Sequence, residues 1–142
     1  MENIKDAIDF ANNNSVVFLS TTDANQPRVR GMWMWFADET GFYYHTGTMK
    51  SLYKQLCTNP NVEACHHDAK NGIMLRVAGK IEFVNDSALK EKLLNEREWL
   101  KTEIQNRNAV GEVVIFRIYT GEAYSWTMEN NCHEDKIKRI KF

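Results

Sequence analysis

The chain has 142 residues, 18 lysines and arginines against 19 aspartates and glutamates, a formal net charge of -1, and 43% hydrophobic residues. That length suits one domain, residues 1–142, with a core of its own. The near balance of charge excludes the global basic excess that drives nonspecific binding to nucleic acid or membrane, so any phosphate site has to be local.

The first ten residues are charged and amphipathic without the apolar run of a signal peptide, and nowhere do apolar residues persist for the roughly 20 positions a bilayer-spanning helix needs. A soluble, cytoplasmic protein without membrane partners is expected. Cys57, Cys65 and Cys132 are odd in number and scattered, which argues against a disulfide framework and suits a reducing compartment. Cys65-His66-His67-Asp68 and Cys132-His133-Glu134-Asp135 bring ligand types together. Adjacent residues on a strand point to opposite faces, however, and no paired Cys-x-x-Cys or His-x-x-x-His spacing occurs, so no metal is expected.

Ile4, Ala7, Ile8 and Ala11 recur at helical spacing and end in Asn12-Asn13-Asn14, which predicts a short amphipathic helix and a turn. Ser15 to Thr22, with Val16-Val17-Phe18-Leu19, reads as a buried strand, Arg28 to Phe36 as the next, and Phe42 to Thr46 as a third after the turn Asp38-Glu39-Thr40-Gly41. Short connections between the three predict an antiparallel meander. Thr48 is the expected cap of a helix carrying Leu52, Tyr53 and Leu56, stopped by Asn59-Pro60-Asn61. Val62 to His67 and the alternating Ile73 to Val84 are strands around Lys70-Asn71-Gly72, with a bend expected at Gly79. Asp86-Ser87 should cap one helix running through Leu89, Leu93, Leu94 and Trp99-Leu100. Val113 to Tyr119 and Glu122 to Met128 read as a hairpin about Thr120-Gly121, and the basic tail from Lys136 as a terminal strand docked by Ile137, Ile140 and Phe142. Six or seven strands with helices at the start, middle and late positions predict an α+β barrel, antiparallel and flanked by helices.

Arg28 and Arg30 leave one face of a strand, and Trp33 and Trp35 also share a face. Downstream, Thr46-Gly47-Thr48-Met49-Lys50-Ser51 runs from a strand into a helix start, where backbone donors and the positive end of the dipole favour a phosphate. Together these predict a cradle for a flat aromatic ligand with a phosphate tail. Tyr44 and His45 are the only side chains placed to donate a proton there.

In order and spacing, Phe18-Leu19-Ser20-Thr21, Pro27-Arg28-Val29-Arg30-Gly31-Met32-Trp33, Phe42 to Ser51, Gln55-Leu56 with Asn59-Pro60-Asn61-Val62, and Leu75-Arg76-Val77-Ala78-Gly79-Lys80 resemble the flavin-binding split-barrel family typified by pyridoxamine 5'-phosphate oxidase. The likeness is stronger to its short general stress protein and nitroimidazole-resistance relatives. It implies a split β-barrel, FMN as cofactor, and a homodimer with the flavin at the interface. By position it implies that Arg30, Gly31, Met32 and Trp33 edge the isoalloxazine ring, that His45 and Thr46 meet the ribityl-phosphate, and that Lys50 and Ser51 bind the phosphate. Arg76 would add a second cation, and Trp126 would reach the flavin of the partner subunit. The resemblance does not extend to the oxidase's serine-arginine-lysine phosphate triplet, where Lys50-Ser51-Leu52 stands, nor to its carboxy-terminal substrate segment, which has no counterpart in Cys132 to Phe142.

The expected function is thus an FMN-dependent oxidoreductase passing hydride or electrons from a small-molecule donor to a small organic acceptor. The alternative is a noncatalytic flavin-binding protein: a store, sensor or electron-transfer module. A third reading, a nucleic-acid-binding barrel stacking bases on Trp33 and Trp35, is disfavoured by the negative net charge.

Overall fold

The computed structural model describes residues 1–107 and 112–142. Helix α1 (Ile4–Asn13) opens with a reciprocal cap: Asp6 N–H donates to Asn3 Oδ1 and Asn3 N–H donates to Asp6 Oδ2. Its apolar stripe buries Ala7, Ile8 and Ala11. Asn12 then pins it to the sheet by exchanging hydrogen bonds with both backbone groups of Ala37.

The strands are β1 (Val16–Asp23), β2 (Gln26–Trp33), β3 (Phe36–Asp38), β4 (Gly41–Gly47), β5 (Asn61–Asp68), β6 (Ile73–Val84), β7 (Val113–Trp126) and β8 (Ile140–Lys141). They form one antiparallel sheet ordered β2-β1-β5-β6-β7-β4-β3, with β8 added on β7. The sheet is open, because its ends β2 and β3 are joined by chain and not by a ladder: this is a split barrel of α+β class.

The expected meander is therefore overturned. Arg28 to Phe36 is not one strand, since β2 ends at Trp33 and β3 begins at Phe36. Within the joint, Met34 N–H bonds the Ser15 carbonyl beside β1, whereas Trp35 N–H bonds the Tyr43 carbonyl on β4. Two successive amides thus serve opposite ends of the sheet, and Trp33 and Trp35 do not share a face.

The expected hairpin at Thr120-Gly121 is also absent, because β7 runs unbroken for 14 residues along β6. Gly79 and Gly121 face each other across this ladder. A Cβ on Gly121 would run into the Ala78 carbonyl and one on Gly79 into the Thr120 carbonyl, and Gly121 has φ +156°. These glycines allow a close backbone approach beside the bulge at Lys80/Ile81, where turn chemistry alone suggests a reversal.

Helix α2 (Ser51–Thr58) follows β4. Its cap position is Lys50, with no side-chain bond, and not Thr48. The late helix is two helices, α3 (Ser87–Glu96) and α4 (Glu98–Asn106), meeting at Arg97.

One apolar core joins α1 and α2 to the sheet through Val17, Leu19, Phe42, Tyr44, Leu75, Val77, Phe116 and Ile118. A second, on the other side of β4, packs Tyr43, Val113 and Ile115 against Leu93, Leu100 and Ile104. The tail closes on the first core, with Ile140 buried and the Phe142 ring 5.4 Å from that of Phe42. No described helix is long and apolar enough to cross a membrane.

Candidate functional site

Strand alternation sorts the residues expected at the site. On β4, Tyr44 and Thr46 face the first core while His45 faces α3 and α4. On β2, Arg30 and Met32 share the inward side, whereas Gly31 and Trp33 lie opposite the outward residues Phe18 and Val16 of β1. These expected ring contacts thus divide between two faces of one strand.

Arg30 reaches across β1 toward α2. Its guanidinium donates to the Leu19 carbonyl (3.1 Å), Thr21 Oγ1 (2.8 Å) and Gln55 Oε1 (2.8 Å). Thr21 and Gln55 are buried and bonded to each other at 2.7 Å. Every acceptor is neutral, and among the described residues Arg30 has no carboxylate partner. A half-buried cation so placed attracts an anion. Burial also pushes its pKa below the usual arginine value.

His45 stands at the end of β4. Arg97 Nη1 donates to its Nε2 at 2.7 Å, and Arg97 Nη2 donates to the Met34 carbonyl at 2.8 Å. This ties His45 to the chain just beyond Trp33. Trp99 lies against the imidazole, ring centres 6.2 Å apart, and next to it Trp35 Nε1 donates to Glu96. Burial first, then the charges of Arg97 and Lys50, push the His45 pKa down to about 4. A pKa so lowered keeps the imidazole neutral near pH 7, so any proton His45 offers there is that of the neutral ring. Tyr44 is no better placed: its hydroxyl is buried in the core on the opposite face, without a partner among the described residues, and burial pushes its pKa up.

Thr46 is 4% exposed, and its hydroxyl is another buried group without a partner among the described residues. One tight turn later Lys50 and Ser51 start α2, both exposed, and the absence of a side-chain cap leaves first-turn amides open to an external acceptor. His45, Lys50 and Ser51 thus flank one strand-to-helix turn, with Thr46 in the same segment but turned to the core side.

Arg76 and Trp126 lie elsewhere. Arg76 Nε donates to Glu63 at 2.5 Å and the guanidinium covers the Tyr124 ring, so its charge is already matched. With Trp126 it lines a recess of about 350 Å³ that also includes Ser20, Cys65 and Met74, on the outward face. Ladder register puts Trp33, Val16, His67, Met74 and Trp126 in one row across five strands. At ~4.8 Å per strand, Trp33 and Trp126 of one chain are roughly 19 Å apart along the sheet, too far to hold one flavin ring between them.

Sequence reading missed Arg97, Thr21 and Gln55 as site residues. Arg97 lies in Glu96-Arg97-Glu98, a charge run that looks like a solvated helix face. Gln55 and Thr21 carried the resemblance without showing that they bond the same arginine.

The model of the family described as pyridoxamine 5'-phosphate oxidase matches residues 4–127. The chain belongs to that family. The match places the chain in a flavin-related oxidoreductase family. Among solved structures, the pyridoxamine 5'-phosphate oxidase fold of this chain is similar to a NimC/NimA family protein from Clostridium acetobutylicum. The two are 24% identical, with 97% of this chain and 92% of that one covered, at a TM-score of 0.76. General stress protein 26 from Bacillus anthracis is 18% identical over 98% of both chains, with a TM-score of 0.71. A FAD-binding protein from Mesorhizobium loti is 17% identical over 87% of this chain and 91% of that one, with a TM-score of 0.64. No curated protein sequence matches significantly.

Proposed function

We propose that this member of the pyridoxamine 5'-phosphate oxidase family is a cytoplasmic FMN-dependent oxidoreductase passing hydride or electrons from a small-molecule donor to a small organic acceptor. The observation that carries the reading is the turn from β4 into α2. There Lys50, without an ion-pair partner among the described residues, stands at the start of α2, where no side chain caps the first-turn amides. That donor set fits a phosphate monoester, and Arg30 on the other side of α2 adds a second unmatched cation.

In this assignment Lys50 and Ser51 hold the phosphate, with Thr46 behind them on the core side, His45 donates a hydrogen bond, and Gly31 and Trp33 on the outward side of β2 border the ring. The flavin, when bound, supplies the redox chemistry; the chain binds and orients it and excludes water. Arg76, already paired with Glu63, is withdrawn as a phosphate ligand. A homodimer supplies what one chain lacks, because its outward strip of Val16, Phe18, Val29 and Trp33 is 52–66% exposed, an apolar surface suited to burial against a second copy. Across such an interface the partner subunit's Trp126 would approach the ring.

Titration of the purified protein with FMN and with riboflavin tests the phosphate site: FMN should bind at least tenfold more tightly, by about the value of one charge-assisted contact. Equal affinities would remove the assignment. A noncatalytic flavin protein is the second reading, favoured because the pKa of His45 is pushed far below neutrality and the Tyr44 hydroxyl is buried on the opposite face. Anaerobic addition of NADH or NADPH separates the two, since bleaching followed by recovery with a quinone or nitroaromatic supports the enzyme and no bleaching supports the passive binder.

A further inference from the structure

Arg97 occupies the break between α3 and α4, at φ -119° and ψ 74°, where its backbone carbonyl still accepts from the Leu100 and Lys101 amides of α4. Its guanidinium is committed at both ends, Nη1 to His45 Nε2 and Nη2 to the Met34 carbonyl. A guanidinium stays protonated and offers only donors. His45 Nε2 must therefore present its lone pair, which places the single proton of a neutral imidazole on Nδ1. The groups facing the ring are Arg97 from the helix junction, Lys50 from the start of α2 and Trp99 from α4; the Glu96 carboxylate beside Arg97 in the chain accepts from Trp35. Among the described residues Nδ1 has no protein partner.

We propose that Arg97 is a positioning residue that locks His45 as the neutral, Nδ1-protonated tautomer, so that the site presents a fixed N–H donor to an oxygen acceptor of its ligand. Acceptors of that class are a phosphate monoester oxygen or a ring carbonyl or hydroxyl, and each accepts this hydrogen bond without taking the proton. The identity of the ligand rests on the flavin reading above, whereas the tautomer lock does not.

The lock is tested on the flavin-free protein labelled with 15N-histidine, using long-range proton–nitrogen spectra with His45 assigned from its absence in His45→Gln. Wild type should show a protonated Nδ1 and an unprotonated Nε2 that do not change between about pH 5 and 8. In Arg97→Met the two tautomers should mix and the ring should titrate closer to its ordinary 6.5, while Arg97→Lys, which keeps a cationic donor, should restore the wild-type pattern. A protonated Nε2 or titration near 6.5 in wild type overturns the proposal, even if Arg97→Met fails to fold. An unchanged nitrogen pattern in folded Arg97→Met also overturns it.

For the ligand, Arg97→Met should weaken FMN binding about tenfold, the loss of one oriented hydrogen bond. A loss confined to FMN places the acceptor on the phosphate, and one shared with riboflavin places it on the ring or ribityl chain. No loss with either, where wild type binds, overturns the donor role. Failure of wild type to bind any flavin removes the flavin reading and leaves the tautomer lock to stand or fall on the spectra.

Discussion

A histidine kept neutral by its surroundings stores a dependence on pH. The folded pKa of His45 is about 4 against an ordinary 6.5, so between those values the unfolded chain binds a proton that the folded chain refuses. Its stabilising contribution is complete above about 6.5 and declines as pH falls toward 4. At pH ~5 the expected loss is about 2 kcal/mol. His66 acts with the same sign, since burial pushes its pKa down while Nδ1 meets the Asn14 carbonyl at 2.8 Å. Urea unfolding at neutral and mildly acidic pH should show wild type weakening and His45→Gln losing about 2 kcal/mol less; equal losses would mean that the imidazole is not sealed in. Lys50 makes a separate prediction, because it is exposed and caps α2 through its backbone alone. Lys50→Ala should leave the unfolding midpoint unchanged and weaken FMN binding ten- to a hundredfold, roughly 1.5–3 kcal/mol. Calorimetry would check this, and an unchanged dissociation constant would transfer the phosphate to Arg30.

The β6–β7 ladder depends on two glycines meeting where it bulges. Gly121→Ala would place a methyl group on the Ala78 carbonyl at a backbone conformation L residues rarely adopt, so a loss of order 3 kcal/mol is expected in denaturant unfolding. A near-neutral result would show that the strands can part there. The same glycine shows where local sequence reading fails: Thr120-Gly121 carries turn chemistry, yet its conformation serves the close approach of β6, which only tertiary structure reveals. Alternation and apolar runs did mark β1, β4, β5 and β6, and Asn12-Asn13-Asn14 marked the end of α1, because each reports on its own neighbours. The joint at Met34 and Trp35 was hidden, since an aromatic run looks continuous whether or not its amides serve two strands. At the site, the turn from His45 to Ser51 was legible because strand and helix start adjoin in the chain. Arg97, 52 residues from His45, was not: neither glycine nor proline marks the helix break, and Leu93 and Leu100 keep a spacing that one helix would satisfy.

For the whole molecule, the outward sheet face is the surface on which the proposed homodimer rests. Val16 and Trp33 are directly paired, Phe18 opposes Gly31, and at Gly31 an added Cβ would meet nothing within 4 Å, so this face is open. If the chain pairs as proposed, Phe18→Glu should give a folded monomer by light scattering at micromolar concentration and reduce FMN binding at least tenfold, because a charge buried in such an interface has no partner. A dimer that survives this change would place the interface elsewhere. The joint at Met34-Trp35 has a further consequence, for the growing chain. Residues 16–47 contain both ends of the sheet, β2 with β1 and β3 with β4, stitched together by two successive amides, before any central strand exists. Until β5 and β7 arrive, β1 and β4 each carry an unsatisfied edge, an invitation to pair with another molecule. The protein is therefore most exposed to aggregation when its first third has left the ribosome; β5 covers β1 soon after, but β7, which covers β4, is the last long strand to be made.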